Sequence, residues 1–361
     1  MMSVPAASTP VETQAPARRF RRGAAASSSP WRLAALLSCL CALFILSFAV
    51  GRYPVAPLTA LSVLAAQILP LTPHWEGNVD IVVLGIRLPR ILAALLVGAA
   101  LSVSGAAYQG LFRNPLVSPG ILGVSAGAGF GAALAILLGF GMMGIQLSAF
   151  LGGMLAVGTT WAIGASIARR GDPALPMLLA GVIVGTLFTA FISLVKFAAD
   201  PDDTLPSITF WLMGSLASLH FGELAAAAAL ILPGAALLIA LGWTLNVLCF
   251  GDEEARALGL ATGRIRLLVI VCATLITAAA VAISGIIGLV GLVAPHLARM
   301  LAGPDHRALL PVSALIGGGF LLAVDDLARS LFAVEIPLGI VTAIIGAPFF
   351  LYLLRRGQKW D

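Results

Sequence analysis

The chain has 361 residues, of which 60% are hydrophobic and only 10% are charged. This composition excludes an ordinary soluble domain, in which about a quarter of the residues are charged. A bilayer core of about 30 Å needs roughly 20 apolar residues per spanning helix, so this length has room for about ten spans. The net charge of +5 is spread among predicted loops, and cytoplasmic loops of a membrane protein explain it better than nucleic-acid binding does.

The first 30 residues are rich in Ala, Ser, Pro and Arg, and we expect residues 1–30 to form a disordered cytoplasmic tail. Residues 31–356 are predicted to form one integral membrane domain. Its apolar runs predict spans at 33–50, 91–110, 120–139, 147–167, 176–198, 223–246, 267–284, 287–302, 309–328 and 337–354. Two shorter apolar stretches, 57–71 and 207–219, suit interfacial or re-entrant helices. The predicted fold class is therefore an all-α membrane protein with about ten transmembrane helices.

Small residues recur at every fourth position in the second and third predicted spans. They are Gly98, Ser102, Ala106 and Gly110, followed by Gly123, Gly127 and Gly131. On a helix this spacing makes a flat stripe, against which another helix can pack closely in lipid. The pattern predicts helix packing, although the same smooth face would also suit a helix that slides during a transport cycle.

Charge predicts the orientation of the spans. An even number of spans puts both termini on one side of the membrane. With the termini inside, the 21 lysines and arginines are cytoplasmic except for Arg52, Arg87, Arg90, Lys196 and Arg329. The positive-inside rule therefore favours an orientation in which both termini are cytoplasmic.

The sequence indicates that energy comes from a partner. Neither lysine follows a glycine, so the phosphate-binding GxxxxGK[ST] motif is absent and we do not expect this chain to be an enzyme. The ionisable residues closest to a span interior are Lys196, Glu223, Asp325 and Asp326, all toward the outer boundary. This argues against an ion-coupled carrier, which stays the alternative because backbone carbonyls can also bind sodium.

The loop at residues 250–266 is a candidate contact for such a partner. Acidic residues open it, a helix-forming centre follows, and Gly259 stands at a C-cap position. This pattern predicts a short helix with Ala255 and Leu258 on one side, held outside the membrane. An ordinary solvated turn is the alternative, and the spacing alone leaves both open. Elsewhere, His296 and His306 lack a second ligand at a suitable spacing, so no metal site and no cofactor are predicted.

Five long segments together resemble the FecCD/BtuC-like permeases, the membrane subunits of type II ABC importers. They begin at Arg87, Leu205, Gly251, Ser284 and Ile336, and they read RLPRILAALLVGAALSVSGAAYQGLFRNPLVSPGILGVSAGAGFG, LPSITFWLMGSLAS, GDEEARALGL, SGIIGLVGLVAPHLARMLAGPDHRALLP and IPLGIVTAIIGAPFFLYLL. The resemblance implies a ten-helix permease in a bacterial inner membrane, working with a second permease copy or a paralogous permease. It also implies two cytoplasmic ATPases and a periplasmic or lipid-anchored binding protein. The expected substrate is a metal chelate, most often a ferric siderophore, with haem, cobalamin or oxyanions as variants.

The resemblance also implies roles for particular residues. The coupling region that docks on the ATPase would comprise Asp252, Glu253, Glu254, Ala255, Arg256, Ala257, Leu258 and Gly259. The arginines that receive glutamates of the binding protein would be Arg87, Arg90 and Arg329, for which ordinary interfacial snorkelling is the alternative. The pathway would be lined by Met177, Gly181, Gly185, Thr189 and Ser193, for which lipid or helix contact is the alternative.

Overall fold

The computed structural model describes residues 30–51, 53–70, 72, 75–167, 174–331 and 334–356. The predicted tail, apart from Pro30, therefore lies outside the described residues. The described chain is helical and has no strand. Its helices are α1 (Pro30–Ser47), α2 (Pro57–Ala66), α3 (Gly77–Asp80), α4 (Leu88–Leu111), α5 (Val124–Leu137), α6 (Met142–Ile167), α7 (Ala174–Ala198), α8 (Thr204–Met213), α9 (Phe221–Ala240), α10 (Gly242–Phe250), α11 (Asp252–Ala257), α12 (Thr262–Ser284), α13 (Val290–Ala302), α14 (His306–Ser330) and α15 (Leu338–Arg356). A π-helical segment (Ile81–Arg87) joins α3 to α4, and a short 3₁₀ helix (Pro119–Leu122) precedes α5.

Six helical stretches among the described residues are long and apolar enough to cross a membrane. They are the continuous run Gly77–Leu111 and helices α6, α7, α9, α12 and α14. The other four predicted spans contain shorter apolar helices, α1, α5, α13 and α15, so the count of ten crossings stays a prediction. The two stretches expected to be interfacial or re-entrant contain α2 and α8, which have 10 residues each.

Two predicted spans differ from the helices that form. The span predicted at 91–110 belongs to a helical run of 35 residues. The helical run continues through Pro89 and the charged residues beside it, Arg87 and Arg90. A π-helical segment precedes the proline, which has no backbone N–H to donate, and α4 follows it without a break. The span predicted at 223–246 is divided at Leu241 into α9 and α10. Gly242 then lies so close to α14 that a Cβ would stand 3.0 Å from the Arg307 Cα atom.

Helices α4, α12 and α14 form the centre of the bundle. The apolar window of α12 is 72% buried, whereas that of α9 is only 22% buried. Between α4 and α12, the Tyr108 hydroxyl lies 2.9 Å from Thr274 Oγ1, and Thr277 Oγ1 donates to Ser104 Oγ at 2.9 Å. Such hydrogen bonds between helices hold segments together where lipid gives no hydrophobic reward for packing.

The small residues predicted to form a packing stripe lie at two helix crossings. A methyl group on Gly98 would overlap the carbonyl oxygen of Gly317 in α14, and Ser102 lies beside the same glycine. Across α5 and α6, a methyl group on Gly127 would overlap the backbone of Gly152. These positions therefore require close backbone approach, not merely an apolar surface.

Gly131 and Gly123 complete the predicted stripe in different ways. A methyl group on Gly131 would overlap the carbonyl oxygen of Ser148 in α6, so this residue belongs to the same crossing as Gly127. Gly123 has φ = +88° and ends the 3₁₀ helix immediately before α5. A glycine is favoured at this position because the backbone is left-handed there.

Candidate functional site

The bundle has two ends, which are connected by the antiparallel helices α4 and α14. Arg90 at the start of α4 meets Asp325 near the end of α14. At the opposite end, Gly110 near the end of α4 packs against His306 at the start of α14. A rise of about 1.5 Å per residue puts Asp325 and His306 roughly 30 Å apart. We call these the arginine end and the α11 end.

Arg90 binds two carboxylates at the arginine end. Its Nε lies 3.0 Å and 3.1 Å from the two carboxylate oxygens of Asp325, and its Nη1 lies 3.0 Å from Oε2 of Glu335. The Asp325 side chain is fully buried, whereas 34% of the Glu335 side chain is exposed. Of the two partners, Glu335 is therefore the one that solvent or another protein can reach.

The other two arginines at this end bind α14 and the end of α1. Arg329 pairs with Asp325 at 3.3 Å and with Asp326, and it donates to the carbonyl oxygens of Val50 and Ser47, each at 2.9 Å. Asp326 in turn accepts a hydrogen bond from the Ser47 hydroxyl at 2.6 Å. These contacts fix the last turn of α1 to α14.

Arg87 has no carboxylate partner among these contacts. Its guanidinium donates to the carbonyl oxygens of Phe48 and Tyr53. The three arginines predicted to dock a binding protein, Arg87, Arg90 and Arg329, are thus only 4–6% exposed, and each has partners within the chain. Their docking role stays a prediction, and for Arg90 and Arg329 it requires a carboxylate that can replace an internal one.

Sequence reasoning did not identify the internal partners of these arginines. A signal was present, because Asp325 and Asp326 precede Arg329 by four and three residues, the spacings that bring side chains together on a helix. No local signal connects Glu335 to Arg90, since these residues are 245 positions apart.

Helix α11 at the opposite end is a capped helix, not a solvated turn. Gly259 has φ = +82°, its N–H donates to the Arg256 carbonyl at 2.9 Å, and the Leu260 N–H donates to the Ala255 carbonyl at 3.0 Å. This is the Schellman arrangement that ends a helix at a left-handed glycine. The predicted C-cap at Gly259 therefore occurs.

The side of α11 that faces the bundle differs from the prediction. Ala255 is fully buried, while Leu258 is 64% exposed, so they do not share a displayed side. The small methyl group lets α11 lie against the protein, where Arg266 Nη2 donates to Asp252 Oδ1 at 2.9 Å. The exposed residues of the segment are Glu253, Glu254, Arg256, Ala257, Leu258 and Gly259.

Next to α11, hydrogen bonds hold α10 to the start of α14. The Asn246 side-chain oxygen accepts from the His306 backbone N–H at 2.8 Å and lies 2.9 Å from His306 Nδ1. Asn246 Nδ2 donates to Asp305 Oδ1 at 2.6 Å. The Arg307 N–H also donates to Asp305, and this hydrogen bond, aided by the one from Asn246, lowers the pKa of Asp305. Asp305 is therefore a charged N-cap of α14.

The predicted pathway residues on α7 divide between its buried and exposed faces. Met177 packs against Gly164 of α6, and a methyl group on Gly181 would overlap the Ile121 carbonyl oxygen, so both residues lie inside the subunit. Thr189 and Ser193 are exposed.

Gly185, between the two sets, is half-buried near Gly123. The Thr189 hydroxyl donates to the Gly185 carbonyl at 2.8 Å, and the Ser193 hydroxyl donates to the Thr189 carbonyl at 3.1 Å. Both side-chain donors are thus satisfied within α7. Among the described residues, no three His, Cys, Asp or Glu side chains cluster so that they could hold a metal ion.

Comparison with known proteins agrees with this architecture. A solved structure titled as an inward-facing metal-chelate type ABC transporter superposes with a TM-score of 0.81 at 40% identity, covering 91% of this chain and 99% of that one. The molybdate import permease MolB of Haemophilus influenzae is 42% identical over 87% of this chain and 93% of its own length. The cobalamin import permease BtuC of Halobacterium salinarum is 44% identical over 83% of this chain and 79% of its own length. Further relatives are named for hemin and iron chelatin.

The fold is that of the multi-pass membrane permease of an ABC importer. Residues 39–356 match the FecCD transport family, and the chain belongs to that family. It is therefore an inner-membrane permease subunit of the FecCD/BtuC class, which is not itself catalytic because the ATPase is a separate subunit. Membership of this class decides against the ion-coupled carrier.

Proposed function

We propose that this permease imports a metal chelate, with a ferric siderophore as the first candidate. The exposed face of α7 carries the proposal. It offers Thr186, Thr189 and Ser193, whose hydroxyls all donate to backbone carbonyls of their own helix. Such a wall presents few free donors, and its one cation, Lys196, lies in the last turn of α7, so most of this face would hold a passing solute weakly. A bulky chelate that encloses its metal suits that surface.

An oxyanion such as molybdate is the second candidate, and similarity to a molybdate permease over 93% of that relative's length favours it. A small dianion is best bound by guanidinium groups or free N–H donors. Thr186, Thr189 and Ser193 provide neither, and Lys196 in the last turn is the one cation of α7, which is why the chelate is placed first.

Uptake into proteoliposomes that contain the permease, its ATPase and its binding protein tests the substrate. Ferric siderophore, haem, cobalamin and molybdate are offered side by side with ATP inside. We expect the ferric chelate to accumulate, and accumulation of molybdate alone would reject the proposal. Thr189→Trp should narrow the pathway and reduce uptake severalfold, whereas Leu187→Trp, at a neighbouring exposed position on another side of α7, should leave it nearly unchanged.

We propose that α11 transmits the force of ATP binding. Its exposed Leu258 and flanking charged residues offer a surface for the ATPase, and the hydrogen bond between Asp252 and Arg266 ties α11 to α12. Because α12 is the most buried of the six spans, movement of α11 would reach the centre of the bundle. Two permease copies and two ATPases would then switch the open side by rigid-body tilting.

At the arginine end, we propose that a binding-protein carboxylate takes the place of Glu335 on Arg90. Glu335 is the half-exposed partner of Arg90, and Asp325 keeps the other side of the guanidinium occupied. Exchange of one carboxylate for another costs little electrostatic energy, because the arginine is never left unpaired. The buried position of Arg90 is thereby compatible with docking.

A further inference from the structure

A cavity of about 690 Å³ lies at the α11 end, where α4, α10 and α13 finish and α14 begins. Three arginines line it: Arg113, Arg299 and Arg307. None of the roles discussed above uses this cavity. Its volume falls within the range of pockets that hold small ligands or lipid headgroups.

The described residues that line the cavity carry more positive than negative charge. Asp305 is the one carboxylate residue among those lining it, and its Oδ1 already accepts hydrogen bonds from Asn246 at 2.6 Å and from the Arg307 backbone at 2.9 Å. One donor belongs to α10 and the other to the first turn of α14. The carboxylate is therefore engaged as a helix cap and does not pair with an arginine side chain.

Arg299 shows the imbalance most clearly. It is half-buried, its Nη2 donates to Gln109 Oε1 at 3.1 Å, and no carboxylate oxygen in the described part of the chain lies within 4.0 Å of it. Its place in the last turn of α13 is favourable for a cation, but a helix dipole offsets only a small part of the desolvation of a guanidinium.

Three of the four buried arginines in the described part of the bundle have such a partner. Arg90 and Arg329 pair with Asp325, and Arg266 pairs with Asp252. The fourth, Arg87, donates to the carbonyl oxygens of Phe48 and Tyr53 instead. Arg299 donates only to the Gln109 amide oxygen in the described part of the chain, which leaves its guanidinium available to an anion supplied from outside.

We infer that this cavity binds the phosphate headgroup of an anionic phospholipid, with Arg299 as the main contact and Arg307 at the opening. The cavity lies where spanning helices end, at the level at which headgroups meet the protein. Trp243 lines it and is half exposed, as an aromatic residue of the membrane interface would be.

The neighbours of Arg299 favour a lipid over an acidic side chain of the ATPase. Trp243 and Phe250 line the cavity beside Arg299, and both are exposed. Acyl chains attached to the headgroup would cover these apolar side chains, whereas an acidic side chain alone would leave them in water. A lipid therefore accounts for both the charge and the adjoining apolar surface.

Native mass spectrometry of the full-length permease in detergent tests the inference. Phosphatidylglycerol and phosphatidylcholine with identical acyl chains are added separately, and bound lipid is counted. We expect wild type to retain phosphatidylglycerol selectively, and Arg299→Gln to reduce that retention about tenfold through loss of a charged hydrogen bond. Arg264→Gln, at an exposed position on the same end but outside the cavity, is the matched control and should retain it.

Because Arg299→Gln could disturb folding, Arg307→Gln provides a second variant, since Arg307 is exposed. We expect it to weaken phosphatidylglycerol retention while the melting temperature without lipid stays that of wild type. Equal retention of the two lipids, or equal losses in the Arg299 and Arg264 variants, would overturn the inference. Displacement of the lipid by millimolar inorganic phosphate would identify a free-oxyanion site instead. Displacement on assembly with the ATPase would identify an acidic side chain of that partner.

Discussion

At the scale of single residues, the buried carboxylate of Asp325 depends on its two arginine partners. It lies between Arg90 and Arg329 with its side chain fully buried. We predict that Arg90→Gln lowers the stability of the purified permease by about 3 kcal/mol, because removal of one partner leaves a buried charge poorly compensated. Thermal unfolding in detergent measures the change.

Glu335→Gln is the control for this prediction. It removes the other carboxylate held by Arg90, but that side chain is 34% exposed, so the loss should stay below about 1 kcal/mol. Equal losses of stability in the two variants would show that Asp325 does not depend on Arg90 in the way the geometry indicates.

The same Glu335→Gln variant also tests docking. If a carboxylate of the binding protein has to displace Glu335 from Arg90, the variant lacks the competing carboxylate. We expect the loaded binding protein to bind the permease–ATPase complex several times more tightly, as measured by surface plasmon resonance. Weaker binding would reject the exchange at Glu335. Unchanged binding in an Arg90→Gln complex that still assembles would reject the docking role of Arg90 itself.

At the scale of elements, the crossing of α4 and α14 depends on the absence of a side chain. Gly98→Ala would press a methyl group into the backbone of Gly317. Overpacking of this kind costs about 1–3 kcal/mol, so we predict a lower melting temperature and reduced expression. Gly158→Ala in α6 is the matched control, since its Cβ would meet nothing within 4 Å. Because alanine has a higher helix propensity than glycine, this control should be neutral or slightly stabilising.

Helix α11 allows a test of coupling that does not disturb the fold. We predict that Leu258→Asp abolishes most uptake while ATP hydrolysis by the assembled complex continues, because Leu258 is 64% exposed and belongs to the surface proposed to contact the ATPase. Uptake and hydrolysis are measured on the same proteoliposomes. Leu116→Asp alters another exposed leucine near this end, outside α11, and should leave coupling intact. Loss of coupling in both variants would show that the effect is not particular to α11.

The sequence predicted those elements whose cause is local. Continuous apolar runs located the long spans, and Gly259 ends α11 because a left-handed position favours glycine wherever it occurs. The division between α9 and α10 could not be predicted, since it depends on the contact of Gly242 with α14. The burial of Ala255 likewise depends on how α11 packs on the bundle. A helix of six residues is too short for its sequence pattern to predict which side faces inward.

The candidate sites show the same distinction. Resemblance indicated that Arg87, Arg90 and Arg329 matter together, and the structure does bring them to one end of the bundle. Their burial could not be predicted, because it depends on partners distant in sequence, such as Glu335 and the carbonyl groups after α1. A pattern of charged residues near a span end does not distinguish an exposed arginine from one enclosed by acids.

At the scale of the whole molecule, α4 and α14 each extend from the arginine end to the α11 end. Arg90 and Asp325 join these helices at one end, and Gly110 contacts His306 at the other. Helix α1 is parallel to α14, since Leu36 near its start packs against a cluster that contains Leu309 near the start of α14, while Ser47 at its end binds Asp326 near the end of α14. Helix α11 binds α12 through Asp252, and neighbouring α10 is held to the start of α14 by Asn246. The movement of α11 proposed above would therefore reach helices that extend to the arginine end, as coupling across a membrane requires.

The side of the membrane on which each end lies is the remaining prediction. Exposed arginines near the α11 end include Arg256, Arg264 and Arg307, and the positive-inside rule puts that end in the cytoplasm.

Cysteine labelling tests this orientation in a variant without the four native cysteines. We expect a membrane-impermeant maleimide to label Asp202→Cys, in the exposed loop after α7, on intact spheroplasts. Arg264→Cys should react only after permeabilisation. The opposite pattern would show that the chain has the inverse orientation. In that orientation α11 could not reach a cytoplasmic ATPase, and the arginine end could not reach an external binding protein. Labelling of both positions from outside would show that an even number of crossings separates them, against the single crossing predicted at 223–246.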